Sequence, residues 1–226
     1  MRFKNARLLS FRVVLMLAVA AGVYVRLSPV WSADFPLVDG ALFHVMAREI
    51  AQNNFALPQT TGYNAADVPF AYPPLALYFA ALLHHLGLDT LVVLRWLPAL
   101  VSVATLAVFW RFAREVLRSR GAAAWALLVF ALLPYSFDWY IVGGGLTRAT
   151  GFFFSLLALH AFFRLITREK TTTSDFVWAV LALDATLLTH PTMSWFAVTG
   201  ILLMTLALAQ TPRAKRNIVL AGSLSV

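Results

Sequence analysis

The chain has 226 residues, of which 61% are hydrophobic and 12% are charged, and its formal net charge is +8. A soluble domain of this size is about 45–50% apolar and about 25% charged, so this composition excludes a single water-soluble core. The basic residues lie in short clusters between apolar runs, which excludes a nucleic-acid-binding face, and the lack of cysteine excludes disulfides and thiolate metal sites.

Apolar runs that reach or approach the length of a membrane span recur along the chain. A transmembrane helix needs about 20 mainly apolar residues, and the candidate runs are Leu8–Leu27, Leu91–Trp110, Ala122–Val142, Ala149–Phe163, Phe176–Leu188 and Thr192–Gln210. A last run begins near Ile218 and is too short to span, so we expect the sequence to be truncated inside a helix. The pattern predicts an all-α fold, a multi-pass transmembrane helical bundle with one transmembrane domain over residues 1–226.

The segment Tyr72–His85 decides the topology. It is apolar but only 14 residues long, which fits an interfacial or re-entrant helix better than a span. If it does not span, 14 of the 18 basic residues are cytoplasmic, as the positive-inside rule requires. If it spans, ten of those 14 lie outside. We therefore predict a cytoplasmic N-terminus and a first outer loop over residues 29–90.

The first outer loop carries two amphipathic juxtamembrane helices in this prediction. Loops longer than about 12–15 residues are usually functional or disordered. Gly40–Gln52 places Leu42, Phe43, Met46 and Ile50 on one side of a helix. A second surface helix is predicted over Pro74–Leu86, and the stretch between the two is irregular.

Asp39 is the candidate catalytic residue of this loop. A carboxylate at the water–membrane boundary, at the start of a helix, can accept a proton from an attacking hydroxyl. The competing interpretation is a helix N-cap, which contributes about 1 kcal/mol. Both interpretations remain open from the sequence.

Three further residues on the outer side are candidate ligands. Arg95 and Arg148 can each hold a phosphate through the guanidinium fork, or can extend to lipid head groups. His190 lies at an outer turn between two runs, where it can bind substrate or simply form part of a polar turn.

Other polar residues carry weaker signals. His84 and His85 are adjacent and point about 100° apart on a helix, whereas helical zinc sites prefer i,i+4 spacing, so no metal site is predicted. Asp184 lies inside an apolar run, where an ionisable group usually faces the bundle interior. We expect its carboxylate to be shielded from lipid and hydrogen-bonded, with His160 or Arg148 as possible partners.

The order of several short motifs resembles the GT-C superfamily of polyprenyl-phosphate-sugar-dependent glycosyltransferases, in particular its protein O-mannosyltransferase and aminoarabinose-transferase-like branch. The motifs are Asp39 at the start of the surface helix, Tyr72-Pro73-Pro74-Leu75, and Arg95-Trp96-Leu97-Pro98 before a span that ends in arginines. The chain departs from the family pattern at Asp39-Gly40, where Asp-Glu is common, and at Arg148, where many members have a second acid.

The resemblance implies a membrane glycosyltransferase, a hexosyl- or pentosyltransferase. It would move a sugar from a polyprenyl-phosphate carrier to a lipid, glycan or protein acceptor on the outer face of a bacterial or archaeal plasma membrane. It further implies Asp39 as general base, Arg95 and Arg148 at the leaving phosphate, and Tyr72 at the lipid-side entrance. No cofactor is predicted, and a divalent metal requirement stays open. A transporter or lipid flippase and a non-catalytic membrane subunit are the alternatives.

Overall fold

The computed structural model describes residues 2–34, 40–141, 145–209 and 212–225, with the side chains of all of these except residues 2–10 and 212–214. The helices are α1 (Arg2–Ser32), α2 (Gly40–Gln52), α3 (Leu75–His85), α4 (Thr90–Leu117), α5 (Arg120–Leu132), α6 (Asp138–Ile141), α7 (Gly145–Thr167), α8 (Thr173–Leu187), α9 (Pro191–Leu208) and α10 (Pro212–Ser223). Short 3-10 turns cover Tyr63–Ala65 and Pro134–Ser136, and two short strands, β1 (Thr60–Thr61) and β2 (Val68–Pro69), pair antiparallel. The predicted all-α, multi-pass helical bundle is confirmed.

Four helices of the described chain are long and apolar enough to cross a membrane: Phe11–Ser32 of α1, α4, α7 and α9. They contain between 18 and 28 residues and rise about 27–42 Å, which matches a hydrocarbon core of about 30 Å. The predicted run Phe176–Leu188 is different, because α8 has 15 residues and rises only about 22 Å. The chain is an integral, multi-pass membrane protein.

The run predicted over Ala122–Val142 is sharply bent. α5 ends at Leu132, Pro134 begins a 3-10 turn, and the two parts of the segment meet at an angle of 89°. Pro134 has no amide hydrogen and disfavours a helical conformation at the residue before it. Leu133 is accordingly extended, with φ −71° and ψ 114°. The sequence-based prediction did not include this bend.

The two helices predicted between the first two spans are present. α2 turns one face inward, and its buried residues are Gly40, Phe43, Met46, Ala47 and Ile50. α3 has 11 residues and rises about 16 Å, about half of the hydrocarbon core, so its length fits a helix that does not cross. Between them β1 and β2 form a small ladder that pairs Thr60 with Pro69.

The chain forms two compact units, and the first contains residues 1–71 and 76–149. Here α1 packs against α4 and α5. Gly22 of α1 lies at this contact, because a Cβ added to it would lie 2.8 Å from Cδ1 of Leu106 and 3.1 Å from Cβ of Ala131. A residue without a side chain therefore lets the three helices approach closely.

The second unit contains residues 72–75 and 150–226. α8 packs against α9 and α10, and Gly200 of α9 lies against Leu159 of α7, where an added Cβ would be 2.6 Å from Cδ2. The short segment 72–75 is joined to this unit by a backbone hydrogen bond of 2.9 Å from the amide of Leu75 to the carbonyl of Leu188.

Candidate functional site

Asp39, the predicted catalytic residue, lies outside the described residues. The described chain reaches Asp34 and resumes at Gly40, which is buried at the start of α2. The other predicted site residues are described, two of them in the first unit (Arg95, Arg148) and two in the second (Tyr72, His190).

Arg95 contacts the backbone at the end of α1. Its Nη2 donates a hydrogen bond of 2.7 Å to the carbonyl of Val30, and its Nη1 donates one of 3.1 Å to the carbonyl of Asp34. The last four carbonyls of a helix have no partner within the helix, and Val30 carries one of these in α1. The Nε atom of Arg95 is buried and makes no hydrogen bond within the described chain.

A small apolar cluster lies beside this contact. Its buried members are Val30 at the end of α1, Ala99 in α4 and Ile141 in α6, and the half-buried Leu27, Trp96 and Phe137 pack against them. The bend after α5 thus brings α6 against the adjacent ends of α1 and α4. Apolar contact and the Arg95 hydrogen bonds together fix the last turn of α1.

Arg148 lies near the start of α7, where it stacks on an aromatic ring. Its Cζ lies 5.7 Å from the centroid of the Trp139 ring, within the range of a cation–π interaction. Gly145 precedes it, and a Cβ on this glycine would lie 2.0 Å from the carbonyl oxygen of Tyr140. Only glycine fits at this point, which explains one member of the glycine run before Arg148, while Gly143 and Gly144 lie outside the described residues.

Tyr72 and His190 are brought together in the second unit. Their ring centroids are 6.1 Å apart and their planes meet at 62°, an edge-to-face contact. His190 is only 5% exposed and immediately precedes Pro191, the first residue of α9. On the α7 side Gly151 lies so close that an added Cβ would be 3.0 Å from Cβ of His190. His190 does lie at a turn between two helices, and its ring is packed and largely buried there.

Two polar residues of α2 that sequence reasoning did not single out are partly buried. The first is His44 in α2. Burial lowers its pKa, as does the charge of Arg48, while the carboxylate of Asp89 opposes the shift. The lowered pKa favours the neutral imidazole at this position.

Glu49 is the second of these residues. Its Oε1 accepts a hydrogen bond of 2.8 Å from the amide of Gly62, while its Oε2 is buried and accepts none from the described part of the chain. The contact ties α2 to the hairpin of β1 and β2. The sequence signal for this contact of Glu49 was its position next to Ile50, which is buried in the amphipathic α2.

For Asp184 we expected a carboxylate that is both shielded and hydrogen-bonded, and Oδ1 meets only the first condition. Its Oδ1 is buried, as predicted, but no described residue donates a hydrogen bond to that oxygen. Among the described residues no group of three or more histidine, cysteine, aspartate or glutamate side chains could hold a metal ion.

These features describe an integral membrane protein with two short helices between its first two spans and with arginines and aromatic residues near the ends of its spans. The family model of the dolichyl-phosphate-mannose-protein mannosyltransferases matches residues 71–226, and the chain belongs to this family. The match confirms the resemblance to GT-C glycosyltransferases and makes the chain a membrane glycosyltransferase of that type. The matched region contains Tyr72, Arg95, Arg148 and His190, and Asp39 precedes it. A comparison with curated protein sequences finds no match.

Proposed function

We propose that this protein transfers a sugar from a polyprenyl-phosphate carrier to an acceptor on the non-cytoplasmic face of the membrane. The observation that carries the proposal is the family match over residues 71–226. The family description names a sugar linked to dolichyl phosphate, a polyprenyl phosphate, as donor. The transporter and non-catalytic alternatives have no comparable support.

Asp39 is the general base in this proposal. It removes the proton from the acceptor hydroxyl as that oxygen attacks the anomeric carbon, while the bond from this carbon to the phosphate oxygen breaks. Support comes from its position between the end of α1 and the buried Gly40, which starts the amphipathic α2. A positioned base contributes about 10²–10⁴-fold to rate.

Arg148 stabilises the departing polyprenyl phosphate in this proposal. Negative charge develops on the phosphate as the sugar leaves, and a cation placed there lowers the barrier. Stacking on Trp139 at 5.7 Å supports the assignment, because it orients the guanidinium plane. Tyr72 and His190 are proposed to shape the entrance for the lipid-linked sugar, and their edge-to-face contact holds both rings in fixed orientation.

The test is donor turnover by full-length protein in proteoliposomes. Radiolabelled mannose, and separately a labelled pentose, is presented on polyprenyl phosphate, and release of the lipid phosphate is measured with transfer of label to acceptors from the source membranes. We expect turnover with a polyprenyl-phosphate sugar and none with the matching nucleotide sugar. Turnover with the nucleotide sugar alone, or only from the face that carries the N-terminus, would contradict the proposal.

The arginine assignment has its own matched control. Arg148→Gln is expected to lower the rate about 10²-fold, the scale found when one transition-state donor is lost. Arg120→Gln, an exposed arginine at the start of α5, should retain the wild-type rate. Equal rates for the two variants would remove Arg148 from the proposal.

A further inference from the structure

The imidazole of His44 lies beside an arginine of the same helix. Its Nε2 is 3.5 Å from Nη1 of Arg48, one turn later in α2. A guanidinium has N–H donors and no acceptor, so Nε2 accepts this hydrogen bond and carries no proton. The other ring nitrogen, Nδ1, is buried and makes no hydrogen bond within the described chain. The contact with Arg48 therefore requires a neutral imidazole whose hydrogen is on Nδ1.

Charged groups from three helices act on this imidazole. Burial lowers the pKa of His44 most, and the positive charges of Arg48 and His84 lower it further, while the carboxylate of Asp89 raises it. Arg48 belongs to α2, His84 to the last turn of α3, and Asp89 is the N-cap of α4. The cluster therefore lies where the three helices come together.

Backbone contacts hold two of these neighbours in place. Nδ1 of His84 donates a hydrogen bond of 3.1 Å to the carbonyl of Leu88. Oδ1 of Asp89 accepts hydrogen bonds from the amides of Leu91 and Val92, at 2.8 and 3.2 Å. Because both side chains are fixed by the turn between α3 and α4, neither is free to move away when the charge on His44 changes.

Acid changes the balance of charge in this cluster. The positive charge of Arg48 and the negative charge of Asp89 balance each other when both histidines are neutral. Histidine is the side chain that ordinarily gains a proton between about pH 8 and 5, and protonation of both histidines leaves three cations and one anion. Phe43 and Ala47, which directly precede His44 and Arg48, belong to the buried face of α2. The added charge therefore appears at the edge of the face that packs against α4.

We propose that α2 is an acid-sensitive element, in which protonation of His44 beside Arg48 and His84 loosens the packing of α2 against α4. The proton breaks the hydrogen bond from Arg48 and adds a cation next to the guanidinium. The packed state has the lower affinity for this proton, so its stability is complete above the ordinary histidine pKa of about 6.5 and falls as the pH drops below that value. In the predicted topology the cluster faces the non-cytoplasmic compartment, whose acidification would act on it. The inference goes beyond the proposed function and does not depend on it.

The experiment follows a spin label on α2 as the pH is lowered. The 226 residues contain no cysteine, so Ala41→Cys provides a labelling site in them, exposed and one turn before His44. The label is attached at neutral pH and the purified protein is then brought to lower pH in detergent. We expect label mobility to rise as the pH falls below about 6.5. A label at Leu100→Cys, exposed on α4, should show no such change.

His44→Gln tests the residue itself. The glutamine amide oxygen can accept the hydrogen bond from Arg48 but takes up no proton, so mobility of the Ala41 label should stay low at every pH. His85→Gln is the matched control, because the ring of His85 contacts Phe55, with centroids 5.5 Å apart, and should leave the acid response in place. A wild-type label that does not respond to pH, or a response that persists in His44→Gln, would overturn the proposal.

Two further variants test the electrostatic cause even if His44→Gln unfolds. Asp89→Asn keeps the helix cap but removes the charge that favours protonated His44 in the packed state, so acid should raise label mobility more than in wild type. His84→Gln removes a neighbouring positive charge and should make the acid response smaller. Equal acid responses in these two variants would show that the charges around His44 do not control the packing of α2.

Discussion

The guanidinium of Arg26, fully buried in α1, donates a hydrogen bond of 2.9 Å to Oγ of Ser136, a residue 110 positions later in the chain. Its Nη1 donates to the carbonyls of Gly22 and Ala131, at 3.2 and 3.0 Å. The break at Pro134 removes helical donors from the end of α5, and Arg26 provides a donor to one carbonyl there. The bend is thus held against α1 by a buried cation.

Arg26→Met should destabilise the folded protein by about 1–3 kcal/mol, because it leaves buried acceptors at the bend without their donor. The measurement is thermal unfolding of purified protein in detergent. Arg12→Met serves as control, since Arg12 is exposed on the same helix. Equal melting temperatures for the two variants would show that the bend does not depend on Arg26.

The predicted topology can be mapped with single cysteines because the 226 residues contain none. A cysteine at Leu86, which is 70% exposed after α3, should react with an impermeant maleimide in intact cells. A cysteine at Arg118 should react only after the membrane is opened, since it lies in a basic cluster. Labelling of position 118 in intact cells would refute the arrangement in which α3 does not cross.

Ionisation of Asp175, in the first turn of α8, should make the stability of the folded protein depend on pH. The backbone hydrogen bond from Thr172 lowers the pKa of this carboxyl most, and the charges of Arg164 and Arg168 add to that effect against desolvation. Because the folded pKa lies below the unfolded value of about 3.9, the stabilisation is present above about pH 4 and is lost as pH falls through the folded pKa.

Asp175→Asn is therefore expected to lower the free energy of unfolding by about 1–3 kcal/mol at pH 7, with a smaller difference at pH 3. Unfolding in detergent across this range measures it. The matched control is Glu169→Gln, an exposed acid in the loop that precedes α8. A difference from wild type that stays the same at both pH values would show that the ionised carboxylate is not the source.

Gly151→Ala should disturb the contact of Tyr72 with His190. The added Cβ would lie 3.0 Å from Cβ of His190 and 3.1 Å from Cβ of Met193, and overpacking of this kind costs about 1–3 kcal/mol. Gly222→Ala is the control, because nothing lies within 4 Å of the added atom. We expect lower thermal stability and a lower transfer rate only in the first variant, and similar behaviour of both would contradict the tight packing described.

Helix positions were largely predictable from the sequence, because apolar runs and amphipathic spacing are local properties. α2 has the predicted bounds Gly40–Gln52, and α3 lies within one residue of the predicted Pro74–Leu86. Pro134 itself was the sequence signal for the bend. The apolar content of the run Ala122–Val142 nevertheless led to the prediction of one unbroken span.

The roles of the arginines were harder to predict because their partners are distant in sequence. In the sequence Arg26 is one charged residue near the end of the apolar run Leu8–Leu27. Its contacts with Ala131 and Ser136 depend on the bend. For Arg95 the sequence offered a phosphate or a lipid head group, whereas the hydrogen bonds go to the end of α1. Side-chain chemistry alone does not distinguish a carbonyl from a phosphate oxygen.

The most direct test of the proposed mechanism is sugar transfer by full-length protein carrying Asp39→Asn, at membrane expression matched to wild type. Asparagine caps a helix about as well as aspartate but accepts no proton, so the change separates a base from a cap. Asp67→Asn controls for loss of an acid, since Asp67 is exposed in the same loop with φ of 44°, a conformation that asparagine tolerates. The account predicts a loss of about 10²–10⁴-fold for Asp39→Asn with unchanged thermal stability, and a normal rate for Asp67→Asn. Transfer by Asp39→Asn at a rate comparable to wild type would contradict it and leave Asp39 as a helix cap.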